Sequence, residues 1–219
     1  MRQKLLFQLP KIDQSYFEEN LYKEGIASIA GVDEVGRGCL AGPVVAASVI
    51  LRRECKIEGI NDSKKLSPKK RDELYDVILK QSVACGIGLV DSVEIDRINI
   101  LQAAIKAMEM AVESLSVKPQ YLLIDGNQRI ELNIPQKIII KGDMRSISVG
   151  AASIVAKVAR DRMMAELEKK YPEFKFSVHK GYGTKQHLEE LLKFGPTEIH
   201  RKTFAPICKR SACFLSLLI

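Results

Sequence analysis

The feature of this sequence that most limits how the chain can fold is an apolar segment that ends in two adjacent carboxylates beside a glycine-rich turn. The segment is GVDEVGRG, in which Asp33 and Glu34 precede the turn Gly36-Arg37-Gly38. Burying an ionised carboxylate without a partner costs several kcal/mol. The pair must therefore be solvated, ion-paired or bound to a cation. The plain alternative is an acidic surface turn in which Arg37 is the ion-pair partner.

The sequence around this segment predicts a mixed α/β architecture. Residues 27–34 and 44–51 are rich in Val, Ile and Ala, and they predict two strands joined as a hairpin through a glycine-rich loop. Further strands are predicted at 83–90, 121–125 and 137–140, and helices from Ser67-Pro68 to about Gln81, at 100–115, and from Gly142 to about Lys170. Gly86 and Gly88 would let a neighbouring element approach the third strand closely. This order, without repeat or linker, predicts one domain built on a mixed sheet flanked by helices.

Two more carboxylates lie where predicted strands end. Asp125 ends the run YLLID, and Asp143 follows the run IIIKG. In an open α/β sheet such positions gather at one crevice, where ligands bind. Several carboxylates at one crevice repel each other, and a divalent cation removes that repulsion.

The ligand types favour a hard cation. Oxygen ligands without a Cys or His cluster point to Mg²⁺ or Mn²⁺. The histidines His179, His187 and His200 leave a zinc site as a weaker alternative, because their spacing matches no zinc motif.

Residues suited to phosphate and sugar binding surround these acids in the sequence. The segment NDSKK contains Ser63 and Lys64, and Lys157 and Arg160 are three residues apart on the last predicted helix. HKGYGT places Tyr182 between two glycines, where an aromatic ring can stack on a base or a sugar. The alternative for Lys157 and Arg160 is a solvated helix face, and for Tyr182 it is a loop contact in the core.

Net charge and cysteine content indicate which kind of partner and which cellular compartment suit this chain. Lys and Arg number 34 against 27 Asp and Glu, a net charge of +7, which suits an anionic partner without requiring one. Five cysteines without a C-x-x-C pair fit a reducing, cytoplasmic setting. The N-terminal apolar stretch is too short for an export signal, and the apolar C-terminal end is too short to span a bilayer. We therefore expect a cytoplasmic monomer that does not enter a membrane.

Six motifs in one order resemble the ribonuclease HII family, the type 2 ribonucleases H. They are GVDEVGRG, NDSKKLSP, LIDG, KGD followed by SIVAKVARDR, HKGYGT and HRKTFAP. We expect residues 27–206 to form the catalytic domain, between a leader of 1–26 and a tail of 207–219. The resemblance implies a ribonuclease H-like fold with a C-terminal helical extension. It also implies Mg²⁺- or Mn²⁺-dependent cleavage of RNA in RNA–DNA hybrids and incision 5′ to single ribonucleotides in duplex DNA, leaving 5′-phosphate and 3′-hydroxyl ends.

The resemblance also implies roles for individual residues. The metal-binding acids would be Asp33, Glu34, Asp125 and Asp143. The turn Gly36-Arg37-Gly38 resembles the element that recognises the 2′-hydroxyl and the junction with DNA, and Tyr182 resembles its sugar-stacking partner. Two departures are Gly150, where alanine is usual and which we expect to lie away from the acids, and an apolar tail after Arg210. A non-catalytic nucleic-acid-binding module and a DNA strand transferase or resolvase are the alternative functions.

Overall fold

The computed structural model describes residues 13–55, 57–60 and 66–208. In this part of the chain the strands are β1 (Ile29–Val35), β2 (Val44–Leu51), β3 (Ser82–Val90), β4 (Tyr121–Asp125) and β5 (Gln136–Ile139). The helices are α1 (Tyr16–Lys23), α2 (Pro68–Gln81), α3 (Ser92–Ile98), α4 (Ile100–Glu113), α5 (Ile147–Lys170), α6 (Phe176–His179) and α7 (Lys185–Phe194), and a 3₁₀ helix covers Gly142–Met144. All five predicted strands are present, together with the helices predicted near α2, α4 and α5.

Within the described residues the strands form a single mixed sheet in the order β3-β2-β1-β4-β5. β1 pairs antiparallel with β2, which confirms the predicted hairpin, and parallel with β4. In the parallel pair, Val32 lies opposite Ile124. Because Asp33 follows Val32 and Asp125 follows Ile124, the two residues lie next to each other near the carboxyl ends of adjacent parallel strands.

Helices cover both faces of this sheet. On one face, α4 packs against β1, β2 and β3 through residues such as Ala104 and Met108. A Cβ added at Gly88 of β3 would lie 2.1 Å from the Ala107 carbonyl oxygen, so glycine allows the close approach that the sequence predicts. On the other face, α5 covers β1 and β2, with α2 beside it.

Helix α5 lies directly on β1 because a glycine removes the side chain between them. A Cβ added at Gly31 would lie 2.0 Å from the carbonyl carbon of Ser148. The backbones therefore touch, and the register of α5 over β1 is fixed at this point. Further along α5, Ser153 and Lys157 reach the edge of the sheet where β1 ends.

Two helices, α1 and α3, lie outside the predicted elements. α1 belongs to the expected leader, but it packs on the domain through Phe17 and Leu21. The Oε1 atom of Glu18 accepts hydrogen bonds from Ser146 Oγ at 2.5 Å and from the Ser148 N–H at 3.0 Å. These contacts attach α1 to the N-terminal end of α5.

The remaining differences concern helix ends and the C-terminal region. α4 ends at Glu113, and the N–H of Ser114 caps it by donating to the Met110 carbonyl. The short helices α6 and α7 form the C-terminal helical extension that the resemblance implies. Among the described residues, none of the helices combines the length and apolar character needed to cross a membrane.

Candidate active site

The four acids singled out from the sequence line one cavity of about 500 Å³. Its walls contain Asp33, Glu34, Asp125 and Asp143, together with Val35, Arg71, Ser153, Lys157 and Tyr182. β1 supplies the first two acids, β4 supplies the third, and the 3₁₀ helix after β5 supplies the fourth. The structure therefore brings together acids from three separate parts of the chain.

Backbone and hydroxyl groups position these carboxylates. Asp125 Oδ1 accepts a hydrogen bond from the Gly142 N–H at 2.6 Å, which links the end of β4 to the turn that carries Asp143. Asp33 Oδ1 accepts from the Glu34 N–H at 2.7 Å, and the Ser153 hydroxyl of α5 also hydrogen-bonds to Asp33. The acids are thus held by the sheet below and by α5 above.

Burial and mutual repulsion act against ionisation in this pocket. Burial raises the pKa of Asp33 well above 3.8, and the nearby charges of Glu34 and Asp125 raise it further. Burial also raises the pKa of Glu34, against the effect of Arg37, whose Nη1 lies 3.1 Å from Glu34 Oε1. The ion pair between Arg37 and Glu34 therefore exists, as the plain alternative expects. It stabilises the charge of Glu34, whereas the environment of Asp33 still disfavours its charged form.

The donor set suits a hard divalent cation, for which oxygen ligands are preferred. A cation in the pocket would offset the repulsion among Asp33, Glu34 and Asp125 that raises the pKa of Asp33. As they stand, no three His, Cys, Asp or Glu side chains of the described chain form a ready-made metal cluster. The residue types nevertheless fit a hard cation, because all four side chains offer carboxylate oxygens.

Three cationic side chains lie around Asp161 beside the acidic cavity. Lys157 Nζ lies 2.7 Å from Asp161 Oδ1, and Arg71 Nη2 lies 3.6 Å from Asp161 Oδ2. Lys180 Nζ lies 3.5 Å from the backbone carbonyl oxygen of Asp161. Burial lowers the pKa of Lys180, and the neighbouring Lys157 and Arg71 charges lower it further, whereas Asp161 opposes them. Three cationic side chains therefore gather around Asp161 at this point.

Arg71 and Lys180 are site residues that the sequence analysis misses. Arg71 stands in the first turn of α2, whose N-cap is Ser67, and Lys180 lies inside the HKGYGT motif. The sequence separates them by more than a hundred residues, and only the fold joins them. Together with Lys157 they also line a second cavity of about 510 Å³, which adjoins the acidic one.

Arg160 occupies a different place from its predicted companion Lys157. Arg160 is fully buried, and its guanidinium donates to the carbonyl oxygens of Pro43, Lys180 and Ala41 at 2.9, 2.8 and 3.1 Å. Its donors are therefore committed to backbone groups of two loops. The structure gives Arg160 the role of holding these loops together, whereas Lys157 lines the acidic cavity.

The glycine turn and Tyr182 meet at the rim of the pocket. Gly36 has φ +93°, a conformation that favours glycine, and a Cβ at Gly38 would meet nothing within 4 Å. The Arg201 Nη1 atom donates to the Arg37 carbonyl oxygen at 2.9 Å and so supports the turn from below. Cys39 forms an isolated antiparallel bridge with Tyr182, an exposed residue that lines the acidic cavity. The turn and the aromatic ring are therefore parts of one rim.

Two predicted contacts, Ser63 and Lys64, lie outside the described residues. The expectation that Gly150 lies away from the acidic groups is wrong. A Cβ at Gly150 would lie 2.9 Å from the Asp143 carbonyl oxygen and 2.5 Å from Ile60 Cγ2. The glycine therefore packs against the backbone that carries the fourth acid.

The three histidines are buried, and their ring nitrogens are engaged by protein groups. His179 contacts Glu190 and the Gly181 N–H, and His187 contacts Tyr182 and His200. The second ring nitrogen of His200 accepts from the Thr197 N–H. These contacts argue against the zinc alternative, because a zinc ion would have to displace them.

The mixed sheet flanked by helices, with four carboxylates at one edge, defines a ribonuclease H-like hydrolase. The model of the family Ribonuclease HII matches residues 30–207 of the chain. The chain is 53% identical over 195 residues to Ribonuclease HII of Caldicellulosiruptor saccharolyticus, covering 88% of this chain and 95% of the relative. It is 56% identical over 195 residues to Ribonuclease HII of Enterococcus faecalis, covering 89% and 76%. The chain therefore belongs to the ribonuclease HII family, whose members cleave the RNA of RNA–DNA hybrids.

Solved structures agree with this assignment. The ribonuclease H2 of Pyrococcus horikoshii OT3 is similar with a TM-score of 0.69 and 29% identity, over 83% of this chain and 96% of that one. The RNase HII from Archaeoglobus fulgidus, solved in a complex with PCNA, is similar with a TM-score of 0.66 and 27% identity, over 81% and 95%. Bst-RNase HIII in complex with Mn²⁺ has a TM-score of 0.62 at 18% identity and supports the fold alone.

Proposed function

We propose that the protein hydrolyses RNA strands in RNA–DNA hybrids and also incises duplex DNA on the 5′ side of single embedded ribonucleotides. The products are a 5′-phosphate and a 3′-hydroxyl, and the cofactor is Mg²⁺ or Mn²⁺. The observation that carries the proposal is the meeting of four acids at one cavity in which Asp33 is buried among like charges. Such an arrangement needs a cation to be stable in its ionised form.

Asp33, Glu34, Asp125 and Asp143 would hold the cation through carboxylate oxygens. When bound there, the cation supplies positive charge for the phosphate at which negative charge develops during hydrolysis. The protein contributes the positions of the acids. The Gly142 N–H fixes Asp125, and the Ser153 hydroxyl fixes Asp33.

The phosphates next to the cleaved bond would lie along the second cavity. Arg71, Lys157 and Lys180 line it and lie around Asp161. Phosphodiester oxygens are natural partners for such cationic side chains. Because Arg71 and Lys157 line both cavities, a strand can pass from the basic groove to the acids without interruption.

Selection of ribonucleotides would depend on the rim. The open space at Gly38 lets the backbone of the Gly36-Arg37-Gly38 turn approach a sugar, where the 2′-hydroxyl distinguishes RNA from DNA. Tyr182 would stack on the neighbouring sugar from the other side of the rim. Arg160 supports both parts by holding the loops that carry them.

We further propose that residues 27–206 are the catalytic domain and that the protein acts as a cytoplasmic monomer. Free thiols at Cys39, Cys55, Cys85 and Cys208 support a reducing compartment.

The test compares nicking by the wild type, Asp33→Asn and Asp125→Asn on a duplex with one ribonucleotide, with and without Mg²⁺. The control is Glu189→Gln, an exposed carboxylate on α7 outside both cavities. We expect one metal-dependent nick 5′ to the ribonucleotide from the wild type and the control. Both pocket variants should lose cleavage while they still shift the duplex in a gel. Undiminished cleavage by the pocket variants, or equal cleavage of an all-DNA duplex, would overturn the proposal.

A further inference from the structure

The loop that carries Tyr182 is held by a buried stack of histidines. His179 precedes the loop in α6, His187 follows it in α7, and His200 lies further along the chain. The rings of His179 and His187 are stacked with centroids 4.1 Å apart and an interplanar angle of 13°. All three side chains are buried, and Phe174 and Phe176 pack around them.

Hydrogen bonds connect two of these histidines, His200 and His187, in one donor-to-acceptor direction that ends at the Tyr182 carbonyl oxygen. His187 Nδ1 lies 2.9 Å from the Tyr182 carbonyl oxygen, which can only accept, so Nδ1 carries the proton. In the neutral ring, Nε2 of His187 then accepts from Nε2 of His200, 3.0 Å away. His200 Nδ1 in turn accepts from the Thr197 N–H at 2.9 Å. With His187 and His200 both neutral, one choice of tautomers therefore satisfies all three hydrogen bonds.

His179 holds the residue just before Tyr182. Its Nδ1 accepts from the Gly181 N–H at 3.1 Å, and its Nε2 donates to Glu190 Oε2 at 2.9 Å. Gly181 has φ +81°, and its carbonyl oxygen accepts from the Leu40 N–H at 2.7 Å. The backbone on both sides of Tyr182 is therefore fixed by imidazoles that do not reach the acidic cavity.

We propose that His187 is a positioning residue that fixes Tyr182 against the substrate sugar, and that His200 fixes the tautomer of His187 for this task. The inference rests on the proposed role of Tyr182 in the preceding subsection. The protonated Nδ1 of His187 faces the Tyr182 carbonyl oxygen, and Nε2 of the same ring faces His200. The geometry of the histidine stack thus assigns a substrate-binding purpose to groups that lie inside the C-terminal core.

Two substitutions separate positioning from packing. In His187→Asn the side-chain amide nitrogen lies two bonds beyond Cβ, as Nδ1 does, so the donor to Tyr182 is kept. In His187→Gln it lies three bonds beyond Cβ, as Nε2 does, so that donor is lost. Both variants remove the ring from the stack. If His187 has a purely structural role, both variants should change KM alike. If it positions Tyr182, only the Asn variant should keep a KM close to that of the wild type.

The experiment measures KM and kcat on the single-ribonucleotide duplex for the wild type, both His187 variants, Tyr182→Ala, and Tyr182→Ala combined with His187→Gln. We expect His187→Gln to raise KM about 3- to 10-fold, the factor that a lost neutral hydrogen bond gives, with little change in kcat. His187→Asn should stay within about 2-fold of the wild type. In the Tyr182→Ala background, the hydrogen bond to the backbone carbonyl can still form, but the ring that it positions is absent, so His187→Gln should have no further effect on KM.

The outcomes distinguish this inference from the function on which it rests. If Tyr182→Ala itself leaves KM unchanged, the proposed role of Tyr182 is wrong. If Tyr182→Ala raises KM but the two His187 variants behave alike, or if the effects of the double variant add, the positioning role is wrong. If His187→Gln does not fold, His200→Leu and His200→Gln answer the same question, since only the Gln variant keeps a donor for His187 Nε2. Equal KM values for these two would overturn the proposal.

Discussion

Acidification should destabilise the protein through His187. Burial lowers the pKa of this imidazole from 6.5 to about 4, and the neighbouring charge of His179 acts in the same direction, whereas the Tyr182 carbonyl and Glu190 oppose it. The folded protein therefore binds a proton at His187 less readily than the unfolded chain does. The stability that His187 contributes is fully present above pH 6.5 and is lost as the pH falls towards 4.

The size of the effect follows from the two pKa values. The interval from 6.5 to about 4, at about 1.4 kcal/mol per pH unit, corresponds to about 3.5 kcal/mol, of which about 2.5 kcal/mol is already lost at pH 4.5. Asp33, Glu34 and Glu18 have raised pKa values, so their protonation acts in the opposite direction over part of this range. The wild-type curve alone therefore mixes both effects.

A comparison with His187→Asn isolates the histidine, because asparagine keeps the hydrogen bond but does not titrate. The free energy of unfolding would be measured by urea denaturation of both proteins at pH 7.5, 6.5, 5.5 and 4.5. We expect the wild type to lose about 2.5 kcal/mol relative to the variant between pH 7.5 and pH 4.5. A difference that stays constant across this range would refute the argument that His187 is buried in its neutral form.

Three further predictions follow from the acids, the basic groove and Gly150. Asp33→Asn should raise the free energy of unfolding of the cation-free protein by about 1–2 kcal/mol at pH 7.5, because its buried charge is removed. This gain should shrink as the pH falls, since Asp33 is then protonated in the wild type too. Lys180→Gln should make the negative slope of log binding constant against log salt concentration shallower by about 0.9. Gly150→Ala should destabilise the protein by about 1 kcal/mol, because overpacking at about 1–3 kcal/mol exceeds the gain in helix propensity of about 1 kcal/mol.

Each of these has a matched control. Glu189→Gln, an exposed acid, should leave the unfolding free energy within about 0.5 kcal/mol, and a similar result for Asp33→Asn would contradict the argument from burial. Lys185→Gln changes a cation outside both cavities and should leave the salt dependence of binding unchanged. If Lys180→Gln has the same slope as the wild type, Lys180 does not contact the phosphates. Ile60→Ala should relieve part of the Gly150→Ala defect, and no relief would place the strain elsewhere.

The gathering of the four acids could be predicted because it depends on rules that act along the chain. A carboxylate after an apolar strand must emerge at the sheet edge, and parallel strands emerge at the same edge. Asp33 and Asp125 follow this rule directly, as the pairing of β1 with β4 shows. The close contact of α4 with Gly86 and Gly88 was predictable for the same reason, since a glycine in a strand leaves room for a neighbour.

Other features depend on packing that the sequence does not express. Helical spacing puts Lys157 and Arg160 on similar faces, but the loops around Pro43 and Lys180 cover only Arg160. Arg71 joins the site because α2 packs beside α5, a contact between distant segments. Gly150 contacts the Asp143 backbone because the 3₁₀ helix packs against the first turns of α5. Helix α1 has only eight residues, and besides Phe17 and Leu21 it is attached through Glu18, a buried polar contact that an apolar periodicity does not reveal.

The most direct test of the central claim is the binding of Mn²⁺ by the purified protein, followed by electron paramagnetic resonance. The claim is that the four acids at the end of β1, at the end of β4 and in the 3₁₀ helix together bind a hard cation. The wild type and Glu189→Gln should deplete the free Mn²⁺ signal, and Asp33→Asn and Asp125→Asn should do so at least tenfold more weakly, about the effect of losing one ligand. Equal depletion by all four proteins would show that these carboxylates do not hold the metal.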